Sequence, residues 1–189
     1  MDDEALSEAI RGAQGGDSAS YERIVERYAG RVFGFLLRMT GSRHDAEDLL
    51  QEVFVRLVRT LGAYKHEGRF EAWLFRVAAN LVRDRVRRGK RVPKQIGRGS
   101  TEEASGADLL DETEGPVEPA DAAMVRGEEI DALSAALMKL SDAEREAIML
   151  RHFSHMSFKD IAEATGVPLG TALARAHRGL AHLREMLGG

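Results

Sequence analysis

The feature that most constrains this chain is a stretch near its middle that is poor in large apolar residues. Three of the four prolines lie at positions 93, 116 and 119, and five glycines fall between positions 89 and 115. Such a segment cannot bury enough apolar surface to offset the entropy lost on ordering it. A chain of 189 residues has room for a small domain on either side. We therefore predict domains at 1–92 and 121–189, joined by a flexible acidic linker at 93–120.

Charge is distributed in two opposed blocks around this stretch. From Arg76 to Arg98, nine basic residues accompany one acid, a net charge of +8. From Thr101 to Asp131, eleven acids accompany one base, a net charge of −10, although the whole chain carries only −4. Blocks of like charge are typical of interaction surfaces and solvated tails. We interpret the basic block as one face of a helix that continues into the following loop. We interpret the acidic block as lying mainly in the linker.

The composition and the periodicity of both domains favour helices. Alanine and leucine total 46 residues, against 24 for valine, isoleucine and threonine, and this excess predicts an all-α fold. In the first domain, apolar residues at steps of three and four predict helices over about 21–39, 44–61 and 70–90. Gly41 and Gly62 would end the first two of these helices, and the third would carry its arginines outward.

The second domain has the pattern of a helix-turn-helix motif. The pairs Ser141–Glu144 and Ser157–Asp160 have the spacing of N-terminal capping boxes. Gly166 would form a tight turn, and Pro168 would open a last helix. The inward positions of that helix would be Ala172, Ala176, Gly179 and Leu183. A short helix, a glycine turn and a longer helix with outward arginines match the motif, although many helical hairpins share this pattern.

Several classes of protein are disfavoured by what the sequence lacks. Without cysteine there is no disulfide framework, thiolate metal site or cysteine nucleophile. The N-terminus is acidic, and the longest apolar stretch, near residues 32–37, is too short to span a bilayer. No phosphate-binding glycine loop or nucleophile–base pair is recognisable. We therefore expect a soluble, cytoplasmic, non-enzymatic protein without a cofactor or a membrane span.

Four stretches of the chain resemble a single protein family. Residues 45–57 (DAEDLLQEVFVRL) and 70–88 (FEAWLFRVAANLVRDRVRR) resemble the second conserved region of extracytoplasmic-function (ECF) sigma factors, in the sigma-70 family of RNA polymerase sigma factors. Residues 140–151 (LSDAEREAIMLR) and 161–171 (IAEATGVPLGT) resemble their fourth region. The resemblance implies a factor that directs core RNA polymerase to promoter DNA and opens the minus-ten element, under the control of an anti-sigma factor.

The resemblance also implies two contact surfaces on the first domain. Residues at the start of its second helix would bind the clamp helices of core polymerase, namely Asp45, Asp48, Gln51 and Glu52. Carboxylates suit a basic partner, but they also complement a helix dipole without one. Tyr64 and Asn80 would line a pocket for a flipped minus-ten base, which needs a stacking surface and hydrogen-bonding groups. The residues that would hold DNA phosphates are Arg83, Arg87 and Arg88.

Three residues near these surfaces have simpler interpretations. Tyr64 is equally typical of a partly buried loop anchor. Trp73 is more typical of a core than of a stacking platform, and we place it in the core. Asp84 is expected to pair with a neighbouring arginine.

In the second domain, the resemblance implies docking on the polymerase flap and recognition of the minus-thirty-five element. Thr171, Arg175 and Arg178 would face the major groove, where arginine binds guanine or phosphate. Here the sequence departs from the family, whose usual Gly-Thr-Val-Lys-Ser-Arg is Gly-Thr-Ala-Leu-Ala-Arg at 170–175. Leu173 and Ala174 thus replace lysine and serine. We expect a weaker upstream contribution, unless Leu173 packs against a partner.

Two other interpretations stay open on the sequence alone. An ordinary helix-turn-helix regulator would bind an operator without polymerase, but it would leave the acidic helix and the loop at 62–69 without a role. A metal enzyme would use His152 and His155, which are three residues apart, but the sequence places no third ligand beside them.

Overall fold

The computed structural model describes residues 3–91 and 120–188, and side chains at 3–89 and 130–188. Within these ranges the regular structure is helical, which confirms the all-α prediction. The α-helices are α1 (Asp3–Gln14), α2 (Ser18–Thr40), α3 (Arg43–Thr60), α4 (Phe70–Arg91), α5 (Ala120–Lys139), α6 (Asp142–Ser154), α7 (Phe158–Thr165) and α8 (Leu169–Met186). A 3-10 turn, Leu61–Ala63, follows α3. Except for Ala120, the predicted linker at 93–120 lies outside the described residues.

Helices α1 to α4 form a first bundle around large apolar side chains. Its fully buried residues include Ile10, Ile24, Phe35, Leu36, Leu49, Leu57, Phe70, Leu74 and Phe75. Asp17 caps α2 by accepting a hydrogen bond from the Ser20 amide at 3.0 Å. Gly41 ends that helix, as predicted, in the left-handed conformation with φ of 68°, which glycine adopts without strain.

Helices α6 to α8 form a second bundle with a smaller core. Both predicted capping boxes are present, Ser141 with Glu144 before α6 and Ser157 with Asp160 before α7. Gly166 makes the turn to α8 with φ of 69°. The predicted inward positions of α8 are all buried: Ala172, Ala176, Gly179 and Leu183. The local patterns of the sequence thus position the helix-turn-helix motif correctly.

The two bundles pack against each other mainly through α6, which contacts both α2 and α4. The ring of Phe153 in α6 lies 6.0 Å from that of Phe35 and 6.1 Å from that of Phe75. Arg31 of α2 forms an ion pair with Glu71 of α4 and donates a hydrogen bond to the Phe153 carbonyl. Aromatic and charged contacts therefore hold the bundles together.

Two helices were not predicted from the sequence. Helix α1 buries Ala9, Ile10 and Ala13, a set with one large apolar side chain. Helix α5 starts at Ala120, the last residue of the predicted linker, and continues into the predicted second domain.

Candidate nucleic-acid and partner interfaces

The loop after the 3-10 turn forms one wall of a cavity of about 420 Å³. The ring of Tyr64 in this loop lies 4.7 Å from the ring of Trp73 and 5.7 Å from that of Phe70. Burial raises the pKa of the Tyr64 hydroxyl above its ordinary value. Trp73, which we placed in the core, is only partly buried and also lines the cavity. The cavity therefore offers an aromatic wall suited to stacking.

Side chains from α1 hold this loop in place. The Gln14 amide donates hydrogen bonds to the carbonyl oxygens of Leu61 at 3.0 Å and Tyr64 at 2.7 Å. Ser7 lies 3.0 Å from Nε2 of His66. These residues were missed by sequence reasoning, because their partners lie 47 to 59 positions away and no local pattern connects them.

Asn80 lies on α4, two helical turns beyond Trp73. Its side chain is exposed and accepts a hydrogen bond from the guanidinium of Arg83. The residues lining the 420 Å³ cavity include Tyr64 but not Asn80. The structure thus does not join Tyr64 and Asn80 in one pocket, and their shared role stays a prediction.

The basic face of α4 contains Arg83, Arg87 and Arg88. Arg87 pairs with Asp84 at 3.1 Å, which confirms the expected partner of that acid. Arg88 lies within hydrogen-bond distance of the Asp84 carbonyl, and the side chains of Arg87 and Arg88 are exposed. Arg83 instead turns toward the second bundle, where its Nε lies 3.0 Å from Oε1 of Glu146.

The acidic start of α3 is partly neutralised within the first bundle. Arg85 of α4 forms ion pairs with Asp45 and Asp48, the latter at 3.3 Å. Gln51 and Glu52 project from α3 and are exposed. Farther along the helix, at steps of three and four, Val55 and Val58 are also exposed, at 49% and 55%. The predicted acidic surface therefore continues into an apolar one that sequence reasoning missed.

On α8, the three predicted DNA-contacting residues have different surroundings. Thr171 is half-buried in the first turn. Arg178 is exposed and pairs with Glu144 at 3.3 Å. Arg175 lines a second cavity of about 340 Å³ between the bundles. Leu173 is 43% exposed, so the residue at the usual lysine position faces solvent in this structure.

The two histidines considered as metal ligands lie at the end of α6. His152 is exposed on α6, and His155 ends that helix in the left-handed conformation with φ of 51°. Among residues 3–89 and 130–188, no three histidine or acidic side chains are grouped as metal ligands. Over the same described parts of the chain, no helix combines the length and apolar character required to cross a bilayer.

Comparison with known proteins gives the family. Residues 24–92 match the model of Sigma-70 region 2, and residues 130–183 match that of Sigma-70, region 4. The chain is 36% identical to the RNA polymerase sigma factor CarQ of Myxococcus xanthus over 173 residues, which cover 92% of each chain. It is 33% identical to the ECF RNA polymerase sigma factor SigE of Mycolicibacterium smegmatis, over 98% of this chain and 69% of that protein.

Solved structures share the fold. The complex of CnrH with the cytosolic domain of CnrY contains a chain that matches with a TM-score of 0.65 and 22% identity, over 97% of each chain. The sigma factor RpoE of Bartonella quintana, solved with the anti-sigma factor NepR, matches with a TM-score of 0.64 and 20% identity, over 89% of this chain and 96% of that one. With its family-model matches, this chain belongs to the extracytoplasmic-function sigma factors, the RNA polymerase initiation factors of the sigma-70 family.

Proposed function

We propose that this sigma factor uses the exposed face of α3 to bind core RNA polymerase and the Tyr64 loop with α4 to open the minus-ten element. The second bundle docks on the polymerase flap and reads the minus-thirty-five element through α8. An anti-sigma factor restrains the protein in the cytoplasm, by analogy with the solved complex of RpoE with NepR.

The observation that carries this proposal is the arrangement of two different surfaces on the first bundle. The α3 surface is acidic at Asp48 and Glu52 and apolar at Val55 and Val58. Such a surface suits a partner with basic and apolar groups, because charge complementarity gives orientation and association rate and apolar contacts add affinity.

The second surface combines an aromatic wall with positive charge. Tyr64 and Trp73 lie side by side in the lining of the 420 Å³ cavity, and Arg69 and Arg76 also line it. Base stacking on an aromatic ring with nearby phosphate contacts is a common way of binding single-stranded DNA. This combination supports strand opening rather than the duplex binding of an ordinary operator-binding regulator.

The docking surface is tested with a matched pair of charge reversals. Glu52→Arg changes the proposed docking surface on α3, whereas Glu22→Arg makes the same change at an exposed acid of α2. Like charges in an interface cost several kcal/mol, so we expect Glu52→Arg to weaken core polymerase binding about tenfold or more and Glu22→Arg to have little effect. Equal losses in both variants, measured by pull-down and promoter-dependent transcription, would contradict the assignment.

The strand-opening surface is tested by permanganate footprinting of promoter complexes. Tyr64→Ala removes the stacking ring, and Tyr64→Phe retains it. Losing a stacking partner typically costs about 1–3 kcal/mol per base, so permanganate footprinting should show a smaller bubble for the alanine variant only. Core polymerase binding should be unchanged in both variants. A normal bubble with Tyr64→Ala would exclude this residue from strand opening.

A further inference from the structure

One arginine of α4 is shared by two acids of α3. Nη2 of Arg85 pairs with Oδ1 of Asp45 and lies 3.3 Å from Oδ2 of Asp48. These are two of the acids that we propose for core polymerase docking. A third acid in this part of α3, Glu47, pairs with Arg43 of the same helix at 2.9 Å. The carboxylates at the start of α3 are therefore paired with cations of the protein itself.

The arginines beside Arg85 point to other partners. Arg83 lies against α6, and Arg87 pairs with an acid of α4 itself. Among the side chains that the structure describes, Arg85 is thus the one arginine of α4 that forms ion pairs with α3. The imidazole of His44 also approaches Asp48, but its Nε2 lies farther from the carboxylate, at 3.8 Å. The charge of this surface therefore depends chiefly on Arg85.

Arg85 contributes little to holding α3 and α4 together. The side chains of Arg85, Asp45 and Asp48 are 36%, 37% and 48% exposed, and ion pairs at such positions stabilise a fold weakly. The helices are already fixed by apolar packing, since Ala46 and Leu49, beside the two acids in the sequence, are fully buried. The ion pairs therefore act mainly on the charge that α3 presents to a partner.

The negative charge available on this surface is smaller than the sequence suggests. Asp45 and Asp48 bring two negative charges, and Arg85 brings one positive charge to the same place. A cation of polymerase that approaches either carboxylate is repelled by the guanidinium already bound there. Glu52 lies about two turns farther along α3 and forms no ion pair with the side chains described. It therefore meets a basic partner without this competition.

We propose that Arg85 is an internal competitor that lowers the affinity of α3 for core polymerase. The inference rests on the proposed docking role of α3. Arg85 acts by occupying Asp45 and Asp48, and its release leaves both carboxylates to the partner. An exposed ion pair is readily exchanged for another, because little free energy holds it. In this arrangement the acids determine where polymerase docks, and Arg85 determines how strongly.

The opposite role for Arg85 makes the opposite prediction. If Arg85 held the two carboxylates in the orientation that polymerase requires, its removal would weaken binding. Competition instead predicts that removal of Arg85 tightens binding. The sign of the change in affinity thus decides between competition and positioning.

The experiment measures core polymerase binding by the full chain. The chain has no cysteine, so Glu26→Cys, at an exposed position on α2, carries a dye whose anisotropy follows titration with core polymerase. Arg85→Gln removes the competitor, and Arg27→Gln removes the same charge from an exposed position of α2. Each variant is measured at low and at high salt, and circular dichroism checks that the helices are retained. Arg85→Met, which keeps the apolar part of the side chain, replaces Arg85→Gln if glutamine disturbs the fold.

We expect Arg85→Gln to bind core polymerase about fivefold more tightly than the parent at low salt, the size of change that a surface ion pair produces. The gain should shrink at high salt, where charges are screened, and Arg27→Gln should bind like the parent. In an Asp45→Asn/Asp48→Asn background, Arg85→Gln should bring no gain, because no carboxylate is left to release. Unchanged or weaker binding by Arg85→Gln would overturn the competition, as would an equal gain in Arg27→Gln or a gain without the two acids.

Failure of the proposed docking surface would give a different result. If Glu52→Arg binds like the parent while Arg85→Gln binds more tightly, the competition at Asp45 and Asp48 stands and the docking role of Glu52 fails. If Glu52→Arg weakens binding and Arg85→Gln does not tighten it, the docking surface stands and only the competition fails. If the parent protein does not bind core polymerase, both fail.

Discussion

Helices α1–α4 bury phenylalanine, isoleucine and leucine at the centre of the first bundle, whereas α8 packs into the second bundle through three small residues, Ala172, Ala176 and Gly179, and one large one, Leu183. Large side chains remove more apolar area from water, at about 25 cal/mol per Å². Small residues allow close helix approach but give less stabilisation of this kind. The second bundle therefore depends more on local features, such as its two capping boxes, and on contact with the first bundle.

The largest change in the free energy of unfolding is expected from a substitution in the core of the first bundle. Leu57 is fully buried in α3, and the next residue, Val58, is 55% exposed. Leu57→Ala should lower the free energy of unfolding by about 3 kcal/mol, since it removes buried methyl groups and leaves a cavity. Val58→Ala should change it by less than about 0.5 kcal/mol. Chemical denaturation followed by circular dichroism compares them, and similar losses would mean that the bundle core is not where the stability resides.

Adding a methyl group, instead of removing one, probes the close packing of the second bundle. A Cβ at Gly179 would lie 2.7 Å from Cδ1 of Ile148 and 3.1 Å from Cβ of Glu144, whereas at Gly170, on the same helix, it would meet nothing within 4 Å. Gly179→Ala should therefore destabilise the protein by about 1–3 kcal/mol. Gly170→Ala should stabilise it by about 0.4–1 kcal/mol, because alanine has less freedom in the unfolded chain. Thermal unfolding that moves in the same direction for both variants would contradict the close approach of α8 to α6.

The smallest effect concerns the capping boxes. Ser157→Ala should cost about 1 kcal/mol at neutral pH, and Ser157→Thr, which retains a hydroxyl, should cost less. The Ser157 hydroxyl is the main reason that the pKa of Asp160 lies below its ordinary value.

This pKa shift gives the capping prediction a dependence on pH. A lowered pKa in the folded state stabilises the protein above the unfolded pKa, and that stabilisation is lost as the pH falls through the folded pKa. When unfolding is measured between neutral pH and about pH 3, the free energy of unfolding should therefore fall less steeply with pH in Ser157→Ala than in the parent. Parallel curves would mean that the hydroxyl does not set the Asp160 pKa.

Features with a short sequence signature were predictable. Each capping box lies within four residues, and the inward face of α8 follows from steps of three and four, so Ser141, Ser157 and Ala176 were assigned without knowledge of the fold. Gly41 and Gly166 were predicted as turn positions for the same reason.

Pairings across long stretches of chain were not predictable. Arg85 reaches Asp45 and Asp48 from 37 to 40 positions away, and nothing in the sequence distinguishes it from the arginines beside it. Glu146 has the sequence surroundings of an ordinary surface acid, and only the packing of α6 on α4 buries it. Trp73 is less buried than the sequence predicts, because the cavity beside it is formed by a loop and by a helix of the second bundle.

The two hydrogen bonds from Gln14 have a consequence for the order of folding. They connect α1 to the turn and loop at Leu61 and Tyr64 across 47 and 50 positions, a contact that forms only after a long loop has closed. The loop that carries Tyr64 should therefore become rigid late, when the first helix docks. Helix ends open more readily than a bundle core. Fraying of α1 would then release this loop while α2, α3 and α4 stay folded.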